Sequence, residues 1–187
     1  RRTKNHLKSM YFGALCVGAD LAAGLHVLYF SEKQGRRKKL FKNIESNFFK
    51  SKFIMNSFSA LNNKPNKKNF SGEVHRDSKF YSGKSNLMLN ILVMLDDFTE
   101  DNGPTLVLPY SHLFIDKPSC DFFESNCIKV IGSKGDVLVF HGDVWHCSSL
   151  NNSKSDRIAL PITLTKSSIK QLLDYPRAIG YDRMDSF

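Results

Sequence analysis

Between residues 87 and 164 the chain is a series of short apolar segments separated by glycine, asparagine and proline. Apolar segments of this length and regular spacing predict an all-β sandwich or barrel. The segment 87–95 is apolar on both faces apart from Asn90, which predicts a central strand with a buried amide. A chain of 187 residues is long enough for one such domain. The other predicted strands are 53–55, 73–77, 105–109, 128–131, 136–140, 144–148 and 157–164.

The N-terminal part of the chain has a different pattern. Residues 10–30 form the longest apolar run, and its length and basic flanks raise the question of a membrane span. Asp20 in the middle of the run would cost about 2.5–3.5 kcal/mol on insertion, so a buried helix is favoured and no membrane span is expected. Residues 31–52 have apolar side chains at helical spacing, which predicts one amphipathic helix. We therefore divide the chain into an N-terminal helical segment, 1–40, and a β domain, 41–187.

The apolar run also carries a resemblance to another fold. The segment Tyr11-Phe12-Gly13-Ala14-Leu15, followed by Gly18-Ala19-Asp20, resembles the central helix of hotdog-fold thioesterase-like proteins. The resemblance covers only about the first 35 residues, and the strands of a hotdog sheet are not evident, so Asp20 receives no thioesterase role. It suggests a separate origin for residues 1–40. Because the first residue is Arg1 rather than Met, we also expect a fragment or a processed chain.

Charge is distributed unevenly along the chain, whose formal net charge is +9. Residues 1–70 hold 15 Lys and Arg against 3 Asp and Glu, whereas residues 71–187 hold 12 against 15. A basic region can bind nucleic acid or an anionic membrane, but the sequence contains no motif that reads a nucleic-acid groove. We expect no nucleic-acid partner. A basic entrance that attracts an anionic substrate or co-substrate explains the charge equally well.

The four cysteines show no spacing typical of a metal or disulfide framework. They are Cys16, Cys120, Cys127 and Cys147. We expect reduced thiols and a cytoplasmic location. Cys147 follows a candidate metal ligand directly, but neighbours in a strand face opposite sides, so a packing role is expected for it.

The segment that points to chemistry is His75-Arg76-Asp77. A histidine and an aspartate two residues apart in a strand point to the same face, so both can reach one metal ion. With the distant His146 they make two histidines and one carboxylate, the facial triad of non-haem Fe(II) oxygenases. The segment His141-Gly142-Asp143 has the same pattern but lacks a distal histidine, and we expect His141 to be a strand-end residue. His112 follows a turn and is expected to be structural.

A candidate anion site accompanies the triad. Arg157 lies eleven residues beyond His146, in the next predicted strand. An arginine in the interior of a jelly roll needs an anionic partner, and a guanidinium can hold a carboxylate through two hydrogen bonds. Ser148 faces the same way as His146 and could add a hydroxyl donor. Asn90 and Thr105 either line the same pocket or only satisfy buried backbone groups.

From about residue 41 to residue 187 the chain resembles the phytanoyl-CoA dioxygenase family of Fe(II)/2-oxoglutarate oxygenases. It departs from the family at Tyr110, where the family usually has glycine before Ser-His, and in its short N-terminal region. The matching pieces, in chain order, are His75-Arg76-Asp77, Asn102-Gly103-Pro104-Thr105, Leu108-Pro109-Tyr110-Ser111-His112, Gly135-Asp136, His146, Ser148 and Arg157.

The resemblance implies a mainly β fold, a double-stranded β-helix (a cupin-like jelly roll) with N-terminal helices. It implies that His75, Asp77 and His146 hold Fe(II) and that Arg157 and Ser148 bind 2-oxoglutarate. With O₂ as oxidant, the implied reaction hydroxylates a small organic substrate, acyl-CoA-like compounds among the candidates, and releases succinate and CO₂. Related enzymes that halogenate lack the carboxylate ligand, so the presence of Asp77 favours hydroxylation.

Two other classes of protein stay open at this point. A non-catalytic jelly-roll module would bind the metal and never turn over 2-oxoglutarate. A hotdog-type acyl-thioesterase would act through residues 1–35 and need no metal. The sequence identifies neither the primary substrate nor the oligomeric state.

Overall fold

Two antiparallel sheets make up the fold. The computed structural model describes residues 25–28, 44–174 and 177–178. The strands of the larger sheet, in sheet order, are β1 (Leu25–Leu28), β7 (Val137–His141), β4 (Met88–Met94), β9 (Arg157–Lys166) and β2 (Phe53–Phe58), and β3 (Leu61–Asn63) also pairs with β9. The smaller sheet has the order β6 (Ile128–Val130), β5 (Thr105–Val107) and β8 (His146–Ser148).

Strand β4 occupies the centre of the larger sheet, as its two apolar faces predict. It pairs with β7 on one side and with β9 on the other, so that Leu92 lies opposite both Leu138 and Pro161. Its inner face contributes Leu92 and Met94 to a core that joins the two sheets. The buried side chains of this core are Leu92, Met94, Phe98, Val107, Val130, Leu138, Phe140, Val144 and Ala159.

The outer face of the larger sheet is covered by a short π-helical turn, Ile44–Phe49. Ile44, Phe48 and Phe49 are buried against Leu89 and neighbouring strand residues. This turn is the only part of the amphipathic helix predicted at 31–52 that is helical among the described residues; residues 31–43 lie outside them. Burial of its apolar side chains removes the outer face of β4 from water and stabilises the sheet.

The helix predicted over residues 10–30 is wrong at residues 25–28. This segment is strand β1, at the edge of the larger sheet, and pairs with β7, Leu25 opposite Phe140 and Leu28 opposite Val137. The length of the apolar run 10–30 favoured a helix, but the side of β7 that β4 does not occupy provides backbone partners for residues 25–28. Residues 10–24 and 29–30, and with them most of the hotdog-like segment, lie outside the described residues.

Two further predictions need correction. Residues 73–77 do not form a strand, because only His75 makes a bridge, to His146, and the chain then turns through a polar loop. No helix is predicted between β5 and β6, but the structure has helix α1 (Cys120–Asn126) there. Ser119 caps this helix by accepting a hydrogen bond from the backbone N–H of Phe122, an arrangement that favours a helix start.

Cys147 packs as predicted, in a third cluster of buried residues with Leu108, Phe123 and Trp145. The described cysteines, which exclude Cys16, are all free thiols. None of the helices in the described part of the chain is long and apolar enough to cross a membrane.

Candidate metal centre

His75, Asp77 and His146 converge at one point although they lie far apart in sequence. One ligand atom from each residue lies within 4.8 Å of the other two. Asp77 is central: its Oδ1 is 3.7 Å from His75 Nε2, and its Oδ2 is 3.7 Å from His146 Nε2. The two histidine rings lie 4.4 Å apart, centroid to centroid. Within the described part of the chain this is the one group of His, Cys, Asp and Glu side chains with metal-site geometry.

Backbone carbonyls determine which ring nitrogen of each histidine is available. His75 Nδ1 lies 2.6 Å from the carbonyl of Glu73, and His146 Nδ1 lies 2.9 Å from the carbonyl of Val144. A carbonyl oxygen can only accept a hydrogen bond, so both Nδ1 atoms must carry the proton. Both Nε2 atoms therefore present a lone pair towards Asp77, the tautomer that metal binding requires.

Burial keeps His146 in the neutral form. Burial lowers the pKa of His146 below its usual value, and the Asp77 carboxylate opposes this effect only in part. A neutral imidazole is the form that coordinates a metal ion.

Two residues of the larger sheet hold the carboxylate of Asp77. Asn90 Nδ2 on β4 donates to Asp77 Oδ2 at 2.7 Å, and Thr163 Oγ1 on β9 donates to Asn90 Oδ1 at 3.1 Å. Asn90 and Thr163 are opposite each other in the sheet. The buried amide of Asn90 therefore orients a candidate ligand. Thr163 was not among the predicted site residues; its even spacing from Arg157 along one strand was the available signal.

A cavity of about 450 Å³ contains the triad and several of the predicted polar residues. Asn90, Thr105 and Ser148 line it together with the three candidate ligands. Thr105 and Ser148 are direct partners on strands β5 and β8, so their hydroxyl groups lie on adjacent strands. The structure thus brings together six of the seven residues that the sequence analysis assigned to the site.

Arg157, the seventh, does not line this cavity. It is fully buried at the start of β9, donates from Nη2 to the carbonyl of Gly103 at 2.6 Å, and lies over the ring of Phe98 with Cζ 4.1 Å from the centroid. Its Nε and Nη1 have no hydrogen-bond partner among the described residues. Burial lowers the pKa of Arg157 to about 10, and Asp96 opposes the shift, so the side chain is cationic at neutral pH.

The residues that contact or pair with Arg157 are nevertheless close in sequence to residues that line the cavity. Gly103, which accepts its hydrogen bond, is two residues from the cavity residue Thr105. On β3, Asn63 pairs with Arg157 and the cavity residue Leu61 pairs with Ala159. A buried guanidinium with two unmatched donors is the chemistry that a carboxylate ligand would complete.

The entrance of the cavity is apolar. Phe70 is fully exposed, Leu172 is 80% exposed, and Phe58 and Leu173 are about half exposed, yet all four line the cavity. Apart from His75, Asp77 and His146, no acidic or basic side chain lines it among the described residues. Exposed apolar side chains around a cavity are typical of a binding site for an apolar group.

His112 and His141 lie outside the triad. Their rings are 5.6 Å apart, and His141 ends strand β7, as predicted. Burial lowers the pKa of His141, with Asp143 opposing the shift. His112 is buried in a turn of 3-10 helix, Ser111–Leu113, consistent with a structural role.

Comparisons with known proteins identify a family model and several relatives. A family model described as phytanoyl-CoA dioxygenase matches residues 21–159. An uncharacterized protein of Mycobacterium tuberculosis is 40% identical over 92 residues, which are 49% of this chain and 34% of that protein. The dioxygenase cdmA of Talaromyces verruculosus is 33% identical over 118 residues, 58% of this chain and 38% of that protein. The chain thus spans little more than a third of the length of these relatives.

Solved structures show the same fold. AviO1 from Streptomyces viridochromogenes has a TM-score of 0.57 at 21% identity and covers 73% of this chain and 63% of that one. EvdMO1 has a TM-score of 0.55 at 21% identity and covers 73% of this chain and 34% of that one. The mainly β jelly-roll prediction is confirmed; the N-terminal helices are not. The domain boundary after residue 40 stays a prediction.

Proposed function

Because this chain belongs to the phytanoyl-CoA dioxygenase family, we propose that it carries the active site of an Fe(II)- and 2-oxoglutarate-dependent dioxygenase that hydroxylates a small organic substrate. The observation that carries the proposal is the convergence of His75, Asp77 and His146 within 4.8 Å, with both histidine Nε2 atoms directed at Asp77. The names of relatives such as the dioxygenase cdmA support the reaction class.

The three side chains suit Fe(II). Two imidazole nitrogens and one carboxylate are the donor set of non-haem Fe(II) oxygenases, and they leave coordination positions open. The backbone carbonyls on both Nδ1 atoms and the amide of Asn90 on Asp77 hold the donors in the state that a metal needs. His75, Asp77 and His146 would hold the ion, which supplies the activation of O₂.

The co-substrate proposal rests on the polar end of the cavity. The hydroxyl groups of Thr105 and Ser148 line the cavity on adjacent strands. Arg157, which is buried outside the cavity lining, has two unmatched donor nitrogens, and a carboxylate would match this cation through two parallel hydrogen bonds. We assign the distal carboxylate of 2-oxoglutarate to Arg157, Ser148 and Thr105, and Asn90 to the support of Asp77.

The substrate enters from the apolar side. Phe58, Phe70, Leu172 and Leu173 surround the entrance, so the reacting part of the substrate is apolar and uncharged. The chain of an acyl thioester meets this description, as do other apolar small molecules, and the chemistry at the entrance does not require the thioester. Phe140, whose ring packs at 4.8 Å against His146, and Leu92 form the apolar floor and exclude water from the reacting centre.

Anaerobic titration tests the proposal. Fe(II) and 2-oxoglutarate are added to the purified protein, the metal-to-ligand charge-transfer band is recorded, and succinate is measured after air is admitted. We expect the band and the succinate in the wild type and neither in Asp77→Ala. Asp97→Ala, which alters an exposed carboxylate in a remote turn, is the control that keeps both.

The same experiment distinguishes a dioxygenase from a non-catalytic metal-binding protein. A non-catalytic metal-binding jelly roll would bind Fe(II) and release no succinate, and that outcome would replace the proposal. The assignments of a cytoplasmic location and of Cys16 as a reduced thiol stay predictions.

A further inference from the structure

We infer that Asp143 is a positioning residue for the proposed metal centre, because its buried carboxylate fastens the loop after Asp77 to the segment before His146. The inference rests on the proposed metal site. It assigns a role to the second His-x-Asp pattern of the sequence, His141-Gly142-Asp143, which is not part of the triad.

The loop that carries the first ligands needs such a fastening. Residues 73–82 belong to no strand, so regular sheet hydrogen bonds do not hold Asp77 in place. The backbone contacts are few: His75 and His146 exchange two hydrogen bonds of 3.0 and 2.9 Å, and the N–H of Ser78 donates to the carbonyl of Gly142 at 3.2 Å. From Lys79 to Ser82 the loop makes no backbone hydrogen bond to the segment before His146 among the described residues, so side chains must hold it there.

Asp143 supplies that contact from the other segment. Its side chain is fully buried. Oδ1 accepts a hydrogen bond from Ser78 Oγ, and Oδ2 accepts from Ser82 Oγ and from the backbone N–H of Ser82, the last at 3.0 Å. One carboxylate thus binds two points of the loop, one and five residues beyond Asp77. The sequence separation is more than sixty residues.

The charge of Asp143 has no cationic partner in its neighbour His141. His141 Nδ1 is 4.0 Å from Asp143 Oδ2, but the same nitrogen accepts a hydrogen bond from the backbone N–H of Asp143 at 3.0 Å. An accepting nitrogen carries no proton, and burial lowers the pKa of His141, so the imidazole is neutral. The hydrogen bonds from the loop serines therefore compensate the buried charge, and the loop and the carboxylate stabilise each other.

Arg76 makes a second connection between the same two segments. It lies between the ligands His75 and Asp77 in sequence, and its Cζ is 5.2 Å from the ring centroid of Trp145, the residue before His146. Its Nη1 also donates to the carbonyl of Ile115 at 3.2 Å. A cation over an indole ring is a favourable contact. Arg76 and Asp143 thus hold the loop on the two sides of Asp77.

The test compares Asp143→Asn with Asp97→Asn in the full chain. The introduced amide would place an N–H₂ group against O–H and N–H groups whose hydrogen bonds the carboxylate accepted, and two donors cannot bond to each other. Asp97 also accepts a backbone hydrogen bond, from Lys134, but in a remote turn. Hydrogen–deuterium exchange by mass spectrometry on the metal-free proteins is the first readout. We expect faster exchange of residues 75–82 in Asp143→Asn alone.

Co(II) binding is the second readout. We expect Asp143→Asn to bind Co(II) about tenfold more weakly and with a changed d–d spectrum, since misplaced supporting groups cost metal affinity of this order. Asp97→Asn should match the wild type. Unchanged loop exchange together with Co(II) affinity within twofold of the wild type overturns the inference. So does lower urea stability with an unchanged Co(II) spectrum, which would make Asp143 a structural residue only.

A milder variant covers the case in which Asp143→Asn does not fold. Ser82→Ala removes one donor from a half-buried side chain and should accelerate loop exchange by a smaller factor, whereas Ser133→Ala in an exposed turn should not. Equal exchange in the two serine variants contradicts the inference. If the wild type fails to bind Co(II), the proposed metal centre fails, and the exchange experiment still decides whether Asp143 fastens the loop.

Discussion

At the residue scale, burial and hydrogen bonds determine the tautomer of the two candidate ligand histidines and the charge of Arg157. The two candidate ligand histidines expose Nε2 because backbone carbonyls occupy Nδ1. Arg157 keeps its charge in the interior with two donors unmatched among the described residues. The hydrogen bonds of the histidines favour metal binding, and the unmatched donors of Arg157 favour binding of an anion.

Substitution of Arg157 tests the anion site separately from the metal site. Arg157→Ala should weaken 2-oxoglutarate binding about a hundredfold, or roughly 3 kcal/mol, as expected for loss of a charged bidentate partner. Fe(II) affinity should stay the same, because the three ligands are untouched. Arg157→Lys keeps the charge without the planar fork and should give an intermediate loss. Both affinities are measured by anaerobic titration of each variant.

Two outcomes contradict the assignment of Arg157. If the affinities for Fe(II) and 2-oxoglutarate fall together, the substitution has damaged the fold. If neither falls and only the free energy of unfolding decreases, the contacts with Gly103 and Phe98 are the whole role of the side chain.

Cys147 provides a chemical test of burial near the centre. Burial raises the pKa of its thiol to about 11, so only about one molecule in a thousand carries the reactive thiolate at pH 8. Cys120 is exposed. We expect iodoacetamide at pH 8 to modify Cys120 in the native protein and Cys147 only after unfolding in urea, as followed by peptide mass mapping. Equal native labelling of the two residues would show that Cys147 is accessible.

At the scale of elements, the sequence pattern was sufficient to predict a segment when its residues fit only one type of secondary structure and one place in the sheet. Strand β4 is apolar on both faces, and a seven-residue strand of this kind is stable only when both faces are covered. Its centrality and the burial of Asn90 were therefore predictable. The strand Leu25–Leu28 was not predictable, because it lies within a longer apolar run whose length favoured a helix, and the pairing with β7 is not visible in local sequence.

In the His-x-Asp segment the two side chains lie close together, but the strand predicted to carry them is absent. His75 and Asp77 share one metal-facing side, but a loop and not a strand places them there. The long-range bonds of Ser78 and Ser82 to Asp143 determine the loop, and no local pattern contains them. The types and order of the candidate ligands could be predicted from the sequence, whereas the hydrogen bonds that hold their loop could not.

The Gly103 turn links β3 to the site and is intolerant of a side chain. Gly103 has φ of +76°, and a Cβ there would lie 2.2 Å from Asn63 Nδ2 and 2.8 Å from the carbonyl oxygen of Ser149. Gly103→Ala should lower the free energy of unfolding by about 2–4 kcal/mol, through left-handed strain and loss of the two Asn63 hydrogen bonds.

Gly72→Ala is the matched control, since a Cβ there meets nothing closer than 3.6 Å and its φ is ordinary. Urea unfolding of both variants gives the comparison. A Gly103→Ala variant as stable as Gly72→Ala would mean that the turn can relax, and the described packing around Asn63 would be wrong.

In the whole molecule, the candidate centre draws on both sheets. Asp77 comes from a loop, His146 from β8 of the smaller sheet, and Asn90 and Thr163 from β4 and β9 of the larger sheet. The candidate ligands could be selected from the sequence because their residue types and order are specific. That Arg157 lies outside the cavity lining was not predictable, because no local pattern of residues determines it.

Because the centre joins both sheets, metal should stabilise the whole fold. A ligand that binds only the folded state adds RT ln(1 + [L]/Kd), about 2.7 kcal/mol at a free metal concentration of one hundred times Kd. For a chain of 187 residues this corresponds to a rise in Tm of about 5–10 °C. We expect Co(II) to produce this rise under anaerobic conditions, EDTA to reverse it, and Mg²⁺ at the same concentration to have little effect because it prefers oxygen ligands.

His146→Ala should remove the Co(II) response while its metal-free Tm stays measurable. A Co(II) response that persists in His146→Ala would place the metal elsewhere in the chain and contradict the triad.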